Sequence, residues 1–192
     1  MPVTWYPQSF TNVPMNDMHM RADPSRGYPG RTYRFYTGDR VYGFGQGLSY
    51  TSFKYKLLSA PQKLSLLGNF KAKSSKKIVS HVSYMEVEDV ESCDLLRFYV
   101  KLSVTNIGEF DGSHVVMLFS EFPKVLRGSP QRQLIGFERL HVKRQQAAEG
   151  SILVDPCNHI SMADEYGKRV IPLGDHIISL GDLEHVLSIQ VL

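Results

Sequence analysis

Residues 96–104 read Leu-Arg-Phe-Tyr-Val-Lys-Leu-Ser-Val, so Leu96, Phe98, Val100, Leu102 and Val104 fall at every second position. Side chains of an extended strand alternate between its two faces, and this spacing therefore puts five apolar groups on one side. A strand of that kind persists only if the apolar face is buried against a second layer. Asn106-Ile107-Gly108 then turns the chain, and residues 114–119 (His-Val-Val-Met-Leu-Phe) form a nearly continuous apolar run, as expected of a strand inside its sheet. Further runs follow at 133–142, 150–154, 159–162, 176–180 and 185–192, with Gly or Pro between them. None after Ile78 has a period of 3.6. Seven or eight short strands at this spacing predict an immunoglobulin-like β-sandwich over residues 78–192.

The first 55 residues obey a different rule. Five prolines (Pro2, Pro7, Pro14, Pro24, Pro29) and many aromatics, among them Trp5, Tyr6, Tyr33, Phe35, Tyr36, Tyr42 and Phe44, occur without helical periodicity. Apart from short strands expected at residues 3–6 and 31–36, the stretch reads as extended loop. A loop this long rarely stands alone in a compact domain, so residues 1–55 are read as a segment that packs against another body. Residues 54–77 hold seven lysines and no acid, and Lys73-Ser74-Ser75-Lys76-Lys77 looks like a connector. The division expected from sequence is thus 1–55, a Lys-rich linker at 56–77, and a sandwich at 78–192.

Charge narrows the function classes. Twenty-two basic against nineteen acidic residues leave a formal charge of +3 over 192 residues, too little for a dedicated nucleic-acid binder. No stretch approaches the ~20 apolar residues of a membrane-spanning helix, and the opening Met-Pro-Val-Thr-Trp-Tyr-Pro has neither the basic nor the apolar region of an export signal. Neither nucleic acid nor membrane is expected as a partner. Two cysteines, Cys93 and Cys157, leave a thiol pair and a single bridge both open.

Catalytic motifs are sparse. The first 80 residues offer three carboxylates, Asp17, Asp23 and Asp39, the last two in turn contexts, and no acid/base pair can be named. Seven histidines include no H-x-x-x-H, and neither cysteine has a C-x-x-C partner, so no metal or cofactor is expected. Gly47-Leu48-Ser49-Tyr50-Thr51 lacks the second glycine of a serine elbow, and Gly43-Phe44-Gly45-Gln46-Gly47 opens no helix that could cradle phosphate. The feature that stands out is the aromatic and arginine density of residues 27–36. Aromatic faces stack on sugar rings and guanidinium groups bind hydroxyls, which makes Arg31, Tyr33, Arg34 and Tyr36 candidate sugar-binding residues. The competing reading, inter-domain packing of large aromatics, carries more weight.

Several motifs resemble a known family. Pro2-Val3-Thr4-Trp5-Tyr6-Pro7, Gly30-Arg31-Thr32-Tyr33-Arg34-Phe35-Tyr36 and Phe44-Gly45-Gln46-Gly47-Leu48-Ser49-Tyr50-Thr51 are similar to the carboxy-terminal part of glycoside hydrolase family 3, in particular plant β-D-xylosidases and α-L-arabinofuranosidases. Val104-Thr105-Asn106-Ile107-Gly108, Gly112-Ser113-His114-Val115-Val116, Pro130-Gln131-Arg132-Gln133-Leu134-Ile135-Gly136-Phe137 and Pro172-Leu173-Gly174-Asp175-His176 resemble the fibronectin type III-like module that ends those enzymes. Gln46 stands where the family commonly has tyrosine. The resemblance implies a mainly β chain, with a fibronectin type III-like sandwich preceded by a loop-rich remnant of an α/β sandwich domain. It also implies that the barrel nucleophile and the acid/base segment lie upstream, so the chain alone is expected to be inactive and the catalytic domains are its expected partners. Xylo-oligosaccharide is the candidate ligand. A stand-alone carbohydrate-binding or protein-interaction sandwich is the alternative. The intact relatives are extracellular, in cell wall or apoplast, a setting that would favour a Cys93–Cys157 bridge.

Overall fold

The computed structural model describes residues 1–67, 83–124 and 128–192. They form two compact units, one of Met1–Ser49 with Pro130–Arg132, the other of Tyr50–Ser129 with Gln133–Leu192.

The larger unit is a β-sandwich. One sheet has the order β1-β4-β7, formed by β1 (Phe53–Ser59), β4 (Phe98–Asn106) and β7 (Ala147–Val154), all antiparallel. A second has the order β2-β11-β10-β5-β6, from β2 (Lys63–Leu66), β11 (Leu183–Val191), β10 (Gly174–Leu180), β5 (Gly112–Glu121) and β6 (Gln133–Val142). Within it only the pairing of β2 with β11 is parallel. A small third sheet joins β3 (Tyr84–Glu86), β9 (Arg169–Pro172) and β8 (Met162–Ala163).

The alternation of residues 98–104 does what its period requires: Val100, Leu102 and Val104 are sealed in the core with Val116, Leu118, Ile152, Leu187 and Ile189. Removing a side chain such as Leu102 to alanine would cost about 2–5 kcal/mol in transfer and cavity terms.

Sequence and structure part in four places. Residues 56–59 and 63–66 are strand rather than linker, because the apolar groups alternating with the lysines (Tyr55, Leu57, Leu64, Leu66) pack on the core. The rest of the Lys-rich stretch, residues 68–77, lies outside the described residues. Residues 159–162 were expected as strand, yet Pro156–Ile160 is a π-helical turn with Pro156 in its first turn. Asp155 caps that turn, its side chain accepting from the Asn158 amide at 3.2 Å. Residues 3–6 make a single bridge, Trp5 with Tyr42, and residues 31–36 contain one helical turn, Thr32–Phe35, instead of a strand.

The turn after β4 explains the Val-Thr-Asn-Ile-Gly motif. Asn106 is fully buried, and its amide donates to the carbonyls of Phe110 (2.7 Å) and Val142 (3.0 Å). Its carbonyl oxygen accepts from the Gly108 amide (3.0 Å) and the Thr51 hydroxyl. A Cβ on Gly108 would lie 2.2 Å from Thr51 Oγ1, so this close approach admits only glycine. One side chain therefore ties the β4–β5 turn to the end of β6 and to the segment entering β1.

Cys93, just before the short 3₁₀ turn Asp94–Leu96, is joined by a disulfide to Cys157 in the π-helical turn, with 5.9 Å between Cα atoms. Arg97 and Asp155 clamp the same region: Arg97 Nε donates to Asp155 Oδ2 at 3.1 Å, and Asn158 Nδ2 donates to the same oxygen at 3.0 Å. Burial pushes the Asp155 carboxyl up, but these hydrogen bonds outweigh it and the net shift is downward. Arg169 adds donations to the Cys157 carbonyl (2.5 Å) and Ser161 hydroxyl (2.8 Å).

Candidate functional site

The smaller unit holds the residues nominated for sugar binding. It has almost no regular structure, so aromatic contacts and backbone-to-side-chain hydrogen bonds hold it together. Tyr6 stacks on Phe10 with ring centroids 4.0 Å apart, and Tyr36 meets both edge-on at 4.7 and 5.6 Å. Such edge and offset pairs are the favoured aromatic geometries.

The Gly30-Arg31-Thr32 step is the pivot. Gly30 has φ +84°, and a Cβ there would lie 2.5 Å from the Phe35 carbonyl oxygen. Thr32 takes φ +60°, a left-handed conformation that is strained for a β-branched residue. Its amide donates to the Tyr6 hydroxyl at 2.7 Å, and its carbonyl accepts from the Tyr36 amide at 2.9 Å. Those bonds hold the turn that sets the directions of the four nominated side chains.

Each of the four has a structural engagement. Arg31 Nη2 donates to the Asp17 carbonyl at 3.0 Å, and its guanidinium lies 5.5 Å from the Phe10 ring centroid. Tyr33 stacks on Phe44 at 4.2 Å, which gives the Gly43–Gly47 aromatic loop a packing role. Arg34 sits 5.5 Å from the Phe35 ring centroid, and its carbonyl accepts from the Gln131 amide at 2.8 Å. Tyr36 is buried, and its hydroxyl donates to the Asp39 carbonyl at 2.8 Å. Burial, reinforced by Asp39, pushes the Tyr36 phenol up, so it stays protonated at neutral pH.

Asp17 and Asp23 are held as ionised partners rather than as an acid/base couple. Asp17 is held by His19 Nδ1 at 2.7 Å and by Arg26 Nη2 at 2.5 Å, and the bond to His19 leads the effects that push its carboxyl down to about 2. Asp23 caps the 3₁₀ turn Pro24–Arg26, accepting from the Ser25 hydroxyl at 2.6 Å and amide at 3.1 Å, and is also lowered, chiefly by the Ser25 hydroxyl. Neither can hold a proton near neutral pH for donation to a leaving group. Among the described residues no cluster of three or more His, Cys, Asp or Glu could hold a metal.

What the unit does offer is surface. A hollow of about 640 Å³ is lined by Trp5, Tyr6, Phe10, Met15 and Arg31 among others, a volume in the range of small-ligand sites. Trp5 stands half-exposed at its side, edge-on to Tyr42 at 5.4 Å. Of the four nominated residues Arg31 lines this hollow, together with Trp5, whose exposure bears on the stand-alone carbohydrate-binding alternative.

Comparison with known proteins places these features. The fibronectin type III-like domain family matches residues 114–184. Over 99% of its length the chain is 57% identical to a probable β-D-xylosidase 6 of Arabidopsis thaliana, and over 100% it is 42% identical to a β-xylosidase/α-L-arabinofuranosidase 1 of Medicago sativa subsp. varia. It belongs with the C-terminal part of the glycoside hydrolase family 3 xylosidases. The chain spans about a quarter of the length of these relatives, 25% and 24%. A solved family 3 exo-β-xylosidase aligns with 97% of the chain and 23% of its own length at TM-score 0.74 and 24% identity, a likeness of fold. The β-D-glucoside glucohydrolase of Trichoderma reesei aligns with 79% of the chain at TM-score 0.55 and 28% identity. No helix among the described residues is long and apolar enough to cross a membrane.

Proposed function

We propose that the chain is an accessory carboxy-terminal portion of a β-D-xylosidase-like retaining glycoside hydrolase, which supports catalytic domains and contributes no catalytic group. Its 57% identity over 99% of its length to the C-terminal quarter-length portion of a probable β-D-xylosidase carries the reading. The local chemistry agrees: Asp17 and Asp23 of the smaller unit are tied up in ion pairs and a cap, and the four nominated Arg and Tyr side chains are engaged in packing. The same unit exposes many apolar side chains, including Trp5 at 50%, Met15 at 94% and Leu48 at 100%. Apolar exposure on that scale fits a surface that other domains of the enzyme cover.

In this reading the parent enzyme hydrolyses O-glycosyl bonds of xylan- or arabinoxylan-derived oligosaccharides outside the cell, in the wall or apoplast. The Cys93–Cys157 disulfide suits an oxidising compartment. Co-expression tests it: the chain, supplied in trans with the preceding domains of a plant β-D-xylosidase, is expected to restore activity that those domains lack without it. Activity of the preceding domains unchanged by the chain would overturn the supporting role.

A second reading, a stand-alone carbohydrate-binding module, is favoured by the half-exposed Trp5 beside the hollow. Titration with xylo-oligosaccharides separates the two. Saturable binding that Trp5→Ala abolishes favours the module, and no binding at millimolar sugar removes it.

A further inference from the structure

The outward face of the β1-β4-β7 sheet has no part in that reading. Its cross-strand register is Lys54–Thr105–Ala147, Lys56–Ser103–Glu149, Ser59–Lys101–Ser151 and Tyr99–Leu153. The intervening residues Tyr55, Leu57, Val100, Leu102, Val104 and Ile152 pack into the core, so alternation turns the lysines, the hydroxyls and Tyr99 to solvent. Lys54, Lys56 and Lys101 are exposed, and Tyr99 is 56% exposed. Lys56 and Lys101 are diagonal neighbours across β1 and β4, within reach of one another's charge.

Glu149 is the single carboxylate in those rows, and Glu138 lies at the margin with an oxygen accepting from the Ser151 amide at 3.3 Å. None of the ion pairs among the described residues includes Lys54, Lys56 or Lys101. Lysines on an edge strand often serve to block edge-to-edge pairing, which would account for Lys54 and Lys56 on β1. Lys101 sits on the central strand β4, with Lys56 diagonal to it on β1 and Glu149 diagonal to it on β7, so a single carboxylate in these rows faces three ammonium groups. The face keeps an excess of positive charge, which an anionic ligand would neutralise.

The face is about 20 Å long from Thr105 to Tyr99 at strand rise. It combines spaced ammonium groups, small hydroxyls (Ser59, Ser103, Thr105, Ser151) and one exposed aromatic ring. That set suits a linear polymer bearing carboxylates, many hydroxyls and flat ring faces. A single-stranded nucleic acid would call for several stacking aromatics within a continuing basic groove, and the chain's net charge is only +3. We propose that this face binds a uronate-bearing polysaccharide, with its carboxylates on Lys54, Lys56 and Lys101 and a sugar ring against Tyr99.

Affinity electrophoresis of the 192-residue chain tests it, in gels cast with polygalacturonate, with glucuronate-substituted xylan, or with unsubstituted xylan. Retardation is expected in both uronate gels and not in the neutral one, with weakening as salt rises. The triple change Lys54→Ala/Lys56→Ala/Lys101→Ala should abolish it and Tyr99→Ala should reduce it, whereas Lys63→Ala, on β2 of the other sheet, should leave it intact. These side chains face solvent, and circular dichroism of each variant checks that the sandwich is retained. No retardation by uronate, retardation that survives the triple change, or equal binding of duplex DNA lost with the same change would each overturn the proposal.

Discussion

Breaking the Cys93–Cys157 disulfide offers the sharpest energetic test of the sandwich. The bridge spans 64 positions in sequence and anchors the turn before β4 to the π-helical turn after β7. In the chain-entropy model, closing a loop of this length removes roughly 14–15 cal/mol/K from the unfolded ensemble, or about 4 kcal/mol at 25 °C. A destabilisation of that size lowers the melting temperature of a domain of this size by roughly 8–16 °C. The assay is calorimetry of oxidised protein, protein held reduced, and the Cys93→Ala/Cys157→Ala variant. Reduced protein should melt lower by that interval. The double variant should melt lower still, because the buried Cys157 sulfur is also lost from the core. Two titratable thiols in oxidised, denatured protein would refute the pairing, and reduced and oxidised samples melting within about 2 °C of each other would refute the energetic argument.

Three further outcomes are expected. Asn106→Leu leaves the carbonyls of Phe110 and Val142, the Gly108 amide and the Thr51 hydroxyl without their partner, and should cost on the order of 3 kcal/mol or more in denaturant unfolding; a loss under about 1 kcal/mol would contradict the hub role. His176 is fully buried with Nε2 2.9 Å from the Pro172 carbonyl, and burial pushes its pKa down. Its stabilising contribution is therefore full above the unfolded value near 6.5 and is lost as pH falls from there through the lowered folded pKa, at up to about 1.4 kcal/mol per pH unit. His176→Gln should flatten that dependence in urea unfolding measured across pH 4–8, and an unchanged slope would count against it. Gly108→Ala should destabilise by more than the ~1 kcal/mol typical of a point substitution, since the new methyl meets Thr51 Oγ1; the cost should shrink when Gly108→Ala is made in a Thr51→Ala background, and an unchanged cost there would rule that contact out as the cause.

The sandwich was legible in sequence wherever one face of a strand is buried. Residues 98–104, 114–119 and 133–142 alternate or run apolar and lie in the strands β4, β5 and β6, whereas Leu96, which continues the alternation, sits in the 3₁₀ turn before β4. Failures came where a local rule was overridden. Lys54, Lys56 and Lys63 made β1 and β2 look like linker, because charge count masked the alternating Tyr55, Leu57, Leu64 and Leu66. At residues 156–160, the capping Asp155 and first-turn Pro156 are the signal for a helical turn, which the strand-like alternation of Ile160 and Met162 with polar His159 and Ser161 masks. The smaller unit was legible only as a dense set of aromatics. Its fold depends on pairs such as Tyr6 with Phe10 and Tyr33 with Phe44, whose sequence separations follow no period. For the same reason the hollow that Trp5 and Arg31 line cannot be read from sequence, and the turn residue Asn106 shows nothing there of its four side-chain hydrogen bonds.

The central claim is that this chain contributes no catalytic group to a xylosidase-type enzyme. The measurement that tests it most directly is release of nitrophenol from aryl β-D-xyloside and aryl α-L-arabinofuranoside by the folded 192-residue chain, beside an Asp17→Asn/Asp23→Asn/Asp39→Asn variant of equal purity. The account predicts no turnover above buffer for either protein. Turnover by the unaltered chain that the triple variant loses would contradict it, because carboxylates of the smaller unit would then be doing the chemistry.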